Sequence, residues 1–183
     1  MKEKIKRILL QEPDPFIRFE VLEKFFGFVY VEEDVHFLLS LLRSDRDPCV
    51  RHEVAAQLFR IEEKKPHLMV NIRPNVIEGL LDRAEYDEST VVRHEAIEAL
   101  GYIGDERVLE KLREFSSDQN IDIRSTAEIA VNTATRRFRD NVGTGQLGDH
   151  LVRQWEDCTL LKSELPSAAP HAPPTQLKKE KRK

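Results

Sequence analysis

The chain has 183 residues, 34% of them charged and 40% apolar, with only 7 glycines; this is enough for one domain with a buried core and too few turn residues for a hairpin-rich β fold. Its net charge of −4 is unevenly placed, because the last six residues, KKEKRK, hold five bases and one acid and leave 24 bases against 32 acids, a net of −8, before them. An acidic body argues against nucleic acid as a partner of the folded part, since phosphate binding needs a basic surface to release counterions, and it favours a partner with a basic side chain.

No run of 18 apolar residues suits a membrane span, and MKEKIKRILLQEPDP lacks the long apolar centre and small-residue cleavage site of a signal peptide. The expected location is cytoplasmic, with a nuclear one left open by the basic tail. Cys49 and Cys158 have no Cys-x-x-Cys spacing and read as reduced thiols.

In chain order, short apolar helices alternate with longer ones. KIKRILL precedes a stripe of Ile17, Val21, Phe25 and Phe28, and VHFLLSLL precedes Val50, Val54, Leu58 and Ile61. EEKKPHLMVNIRPN, with two prolines, reads as a loop inserted on one edge. After it, NVIEGLLDRA precedes Val92, Ala96, Leu100 and Ile103, and RVLEKLREF precedes Ile123, Ala127, Val131 and Ala134. Steps of three and four put each set on one helix face. From VGTGQLG the pattern stops; a last helix at about 149–161 is expected to cap the stack with Leu151, Trp155 and Leu160 or Leu161, ahead of a Pro-rich, then basic, disordered tail.

Aligning PFIRFEVLEKFFGF, PCVRHEVAAQLFRI, TVVRHEAIEALGYI and IDIRSTAEIAVNTA places Arg18, Arg51, Arg93 and Arg124 in one register, 33, 42 and 31 residues apart. Six residues before them stand Glu12, Asp45, Asp87 and Asp118. Acids and guanidinium groups held at one offset in stacked units form a ladder of charge-assisted bonds. One helical hairpin cannot bury its own apolar face, so four stacked hairpins are expected to form an all-α solenoid. The turn acid, the Val-Arg after it and the Ala-x-x-Leu helix resemble HEAT-like repeats over residues 1–138, with units at about 1–30, 31–64, 65–104 and 105–138. The capping region takes 139–162 and the tail 163–183.

The second and third units carry adjacent His-Glu pairs, His52-Glu53 and His94-Glu95. At 100° per residue His52 lies about 160° from its helix's apolar stripe, and Glu53 a further 100° round. The two members of a pair therefore serve different directions, whereas His52 and His94 stand side by side on adjacent second helices. Two imidazoles and one carboxylate suit non-haem iron with open positions.

Arg93-His94-Glu95-Ala96, Glu98-Ala99-Leu100-Gly101 and Ile103-Gly104, then VLEKLREFSSD and IRSTAEIAV, resemble one half of deoxyhypusine hydroxylase, a HEAT-like di-iron family. The resemblance spans roughly residues 44–134. It implies His52, Glu53, His94 and Glu95 as the iron ligands of one half, Glu98 as a supporting residue behind them, and hydroxylation of a modified lysine. The chain departs from the family in length, and at the ligand positions its first unit has Phe19-Glu20 and its fourth Ser125-Thr126. A complete site then calls for a homodimer, each ion taking two histidines and a glutamate from one subunit and the crossing glutamate from the other. Arg-His-Glu-Ala is also ordinary repeat sequence. A metal-free scaffold holding a peptide or protein in its inner groove is the alternative.

Overall fold

Acid-led turns start the second helix of each hairpin. Asp14 caps the Phe16 amide at 2.9 Å, Asp47 the Cys49 amide at 2.9 Å, and Asn120 the Asp122 amide at 2.9 Å. Pro15 and Pro48 follow their caps at the first helical position, where no backbone donor is lost. The computed structural model describes residues 1–142, with side chains to residue 139. Its helices pair as α1 (Lys2–Gln11) with α2 (Pro15–Phe25), α3 (Glu32–Ser44) with α4 (Pro48–Lys64), α5 (Arg73–Tyr86) with α6 (Thr90–Ile103), and α7 (Glu106–Phe115) with α8 (Ile121–Val142). No strand occurs among the described residues, which form an all-α stack of helical hairpins. The expected capping helix and tail lie outside the described residues.

The even-numbered helices pack in series, α2 on α4, α4 on α6 and α6 on α8, while α3 packs on α5. Between them runs one apolar core whose fully buried members include Phe25, Leu38, Leu58, Met69, Leu80 and Leu100. α6 and α8 approach closely at Gly101, where an added Cβ would lie 2.7 Å from the Cα of Ala130. The helices come this near because Gly101 has no side chain and faces only the small Ala130. α6 ends at Gly104, whose φ of +65° suits glycine, and its amide returns to the Leu100 carbonyl at 3.2 Å.

The turn acids and arginines join consecutive units. Arg18 donates through Nε and Nη2 to Asp45 at 3.1 and 2.9 Å, and Arg51 does the same to Asp87 at 2.7 and 2.8 Å. Arg93 reaches Asp118. The third guanidinium nitrogen, Nη1, ties Arg18 and Arg51 to the carbonyls of Glu12 and Asp45 in their own turns, at 2.8 and 2.9 Å. Each acid also accepts the amide two residues on, from Asp14, Asp47, Ser89 and Asn120 in turn. The terminal members differ: the Glu12 side chain takes only its own turn's amide among these bonds, and Arg124 donates to the carbonyls of Asp118 and Gln119.

Two sequence expectations are corrected. Ile17, placed on the buried stripe of the first unit, is exposed, while Leu22 and Phe25 make the core there. The corresponding Val50, Val92 and Ile123 are fully buried, on helices that each pack against the second helix of the unit before, and α2 has no such preceding helix among the described residues. The stretch read as an inserted edge loop is largely structured: α4 continues to Lys64, a 3-10 turn spans Pro66–Leu68, and Leu68, Met69 and Ile72 enter the core. Burial of three large side chains outweighs the local turn signal of the prolines.

A compact electrostatic knot closes the N-terminal end. Asp34, buried at the start of α3, accepts from Lys2 at 2.7 Å and from the amides of Tyr30 and Val31, with Lys6 at 2.9 Å from its other oxygen. Burial alone would raise its pKa, but these donors prevail and bring it down to about 2.

Candidate metal centre

α4 begins at Pro48 and α6 at Thr90, so His52 and His94 occupy the same turn of their helices despite 42 residues of intervening chain. Both lie on the face away from the core, with 32% and 44% of their side-chain surface exposed. The extra residues between the two units were absorbed ahead of α5 and leave the register of the second helices intact.

Across the α4/α6 seam, Glu95 Oε2 lies 3.2 Å from His52 Nε2. The hydrogen bond that His52 donates to Glu95 raises the pKa of His52, with burial opposing it. Across the next seam, Thr126 Oγ1 lies 2.7 Å from His94 Nδ1. The two contacts obey one rule. The residue two places after the arginine reaches back to the residue one place after the arginine of the preceding unit.

By that rule Glu53 addresses the position of Phe19, whose ring offers no ionic partner. Glu53 is buried and takes other donors, Arg60 Nη2 at 3.0 Å and Gln57 Nε2 at 3.4 Å. Burial raises its pKa, with Arg60 pulling the other way. Gln57 donates as well to the Leu22 carbonyl, which secures this polar group under α2. The four residues singled out in the sequence thus divide three ways: His52 with Glu95, His94 with Glu98 at 3.5 Å, and Glu53 with Arg60 and Gln57. No group of three or more His, Cys, Asp or Glu side chains converges on one point among the described residues.

His94 lines a small cavity of about 170 Å³, together with Phe59, Glu98, Tyr102, Ile129 and Ala130. Phe59 and Tyr102 meet edge to face at 4.4 Å between ring centres, and the Arg137 guanidinium stacks 3.8 Å from the Tyr102 ring centre. Sequence reasoning passed over this cavity and the partners of Glu53. The signal for the partners was local, since Gln57 and Arg60 follow Glu53 at four and seven residues on one helix face. The cavity had no such signal, because α4, α6 and α8 each supply part of its wall.

The HEAT repeats family model matches residues 74–137. Deoxyhypusine hydroxylase of Homo sapiens is 36% identical over 93 residues, which cover 51% of this chain and 28% of that protein. The enzyme of the same name from Cryptococcus neoformans var. neoformans is 37% identical over 99 residues, 54% of this chain and 26% of that protein. A solved structure of human deoxyhypusine hydroxylase in complex with glycerol superposes with a TM-score of 0.61 at 27% identity, covering 79% of this chain and 46% of that one. The chain therefore spans little more than a quarter of the length of these curated relatives. Repeat register, helix stacking and these likenesses agree that the chain is a HEAT-like repeat protein related to deoxyhypusine hydroxylase and resembling one half of it.

Proposed function

We propose that this chain carries a metal half site, for iron, in which His52 and Glu95 are the first donors and His94 stands beside them, and that a second copy of the chain completes it. The observation that supports this reading is the approach of His52 Nε2 to Glu95 Oε2 at 3.2 Å across the α4/α6 seam, in a chain similar to deoxyhypusine hydroxylase. One nitrogen and one carboxylate donor, with a further imidazole on the adjacent helix, are the right donor types for iron. The described residues fit a partial ligand set. Iron held there would supply open positions for dioxygen or substrate.

The residues of the chain define what loading requires. The proton between His52 and Glu95 has to leave, because a metal takes a neutral imidazole, so binding is expected to weaken as pH falls. Glu53 has to release Arg60 and Gln57 before it serves an ion in the second copy. The proposed reaction is hydroxylation of a basic side chain held in the inner groove, which suits the acidic body.

The commitment of Glu53 to Arg60 and Gln57 favours the other reading, a metal-free scaffold that binds a protein or peptide. Measuring iron per chain, molecular mass in solution and visible absorption after expression with added iron separates the two. The half-site reading expects bound iron, a dimer, and loss of the iron in His52→Ala/His94→Ala. Wild type without iron, or iron retained by the double variant, overturns it; iron on a strict monomer removes the shared site.

A further inference from the structure

Thr126 takes the position in the fourth unit that Glu95 takes in the third, yet it meets its histidine through the other ring nitrogen. Its hydroxyl oxygen lies 2.7 Å from His94 Nδ1 and 2.8 Å from the carbonyl oxygen of Asp122, one turn back on α8. A hydroxyl has one hydrogen to donate, and a carbonyl oxygen only accepts. If the hydroxyl hydrogen pointed at Nδ1, its oxygen would face the Asp122 carbonyl at hydrogen-bond distance with no hydrogen between them. Both short contacts are satisfied together only when the hydroxyl donates to Asp122 and Nδ1–H donates to the hydroxyl.

We propose that Thr126 is a positioning residue that holds neutral His94 as its Nδ1–H tautomer and leaves Nε2 unprotonated beside the cavity that His94 lines with Phe59, Tyr102 and Ile129. The exposed Glu98 carboxylate, 3.5 Å from Nε2 on the same helix, then accepts no hydrogen bond from it and is displaced when Nε2 takes a ligand. Thr126 is itself buried, in the second turn of α8, so the hydroxyl has little freedom to seek other partners. The Nε2 lone pair then accepts a metal ion or a hydrogen-bond donor without first losing a proton. His52 is prepared in the opposite sense, since its Nε2 must carry the hydrogen that faces Glu95. The pair of histidines is therefore asymmetric: the His52 nitrogen is taken by the largely buried Glu95 at 3.2 Å, whereas His94 is set by Thr126 and has the exposed Glu98 farther off, at 3.5 Å. The role in metal binding rests on the half-site reading; the tautomer does not.

The test is long-range proton–nitrogen NMR of the His94 ring in the whole chain above neutral pH, for wild type, Thr126→Ser and Thr126→Val. Wild type and Thr126→Ser are expected to show a protonated Nδ1 and an unprotonated Nε2, and Thr126→Val a shift of the proton toward Nε2. Co(II) titration of the same samples is expected to show at least about tenfold weaker binding in Thr126→Val and recovery in Thr126→Ser, as for other groups that orient a metal-binding histidine. A wild-type ring protonated on Nε2, or a tautomer unchanged in a folded Thr126→Val, overturns the proposal. If Thr126→Val fails to fold, the wild-type and Thr126→Ser spectra still decide. The stated tautomers with no Co(II) bound by any sample would uphold the role of Thr126 and overturn the metal half site alone.

Discussion

Asp34 and Gly101 are single residues on which much of the local structure depends. The pKa of Asp34 is depressed to about 2, so its contribution is fully present above the ordinary carboxylate range and is lost as pH falls through about 2. A depression of this size corresponds to about 2 kcal/mol at neutral pH. Asp34→Asn is expected to lose about that much in urea unfolding near neutrality, with the gap to wild type closing as acid is added. A gap independent of pH would show that packing, not charge, is what the substitution removed. Gly101→Ala drives a methyl group into the Ala130 backbone, and a destabilisation of about 2–3 kcal/mol is expected from the same measurement.

Among elements, the arginine ladder makes the sharpest distinctions. The rung between Arg51 and Asp87 is buried and bidentate, and its guanidinium is also tied to the Asp45 carbonyl. Burial pushes the Asp87 carboxyl up, but Arg51 and the Ser89 amide more than offset this and hold it below the ordinary range. Arg51→Ala leaves a carboxylate buried without its main partner and is expected to cost about 3–5 kcal/mol. Arg51→Lys keeps the charge and loses the two-point contact, so a substantial part of that loss is expected to remain. Arg124 meets only carbonyl oxygens among the bonds described, and Arg124→Lys is expected to cost less than about 1 kcal/mol. Equal losses at Arg51 and Arg124 in chemical denaturation would contradict a ladder whose middle rung matters most.

At the scale of the whole molecule, the position of a unit in the stack decides what its residues do. Ile17 and Val50 stand at the same place in their repeats, yet Ile17 is 45% exposed and Val50 is fully buried. Ile17→Glu is expected to change stability by no more than about 0.5 kcal/mol, whereas Val50→Ala is expected to lose about 2 kcal/mol. The repeat register was legible because arginine and acid recur at a constant offset. The exposure of Ile17 was not, since periodicity describes a helix face and is silent on whether a neighbour covers it. Likewise, turning each helix by 100° per residue placed His52 and His94 away from the core, but the partner of each was set by the unit that follows. The same blindness hid the fate of Glu53, whose natural address in the preceding unit is a phenylalanine.

The ladder also gives the stack a direction. Arg18, Arg51 and Arg93 look forward to the next unit, and Asp45, Asp87 and Asp118 look back, so every internal unit has one socket and one plug. A duplicated internal unit would enter the array with both joints ready-made, while a reversed one would set acid against acid and guanidinium against guanidinium. Lengthening such a protein by copying a hairpin is therefore a small step, and the 42-residue spacing between Arg51 and Arg93 fits the same logic. What the array conserves from unit to unit is the joint, and the amount of chain spent between joints is free to vary.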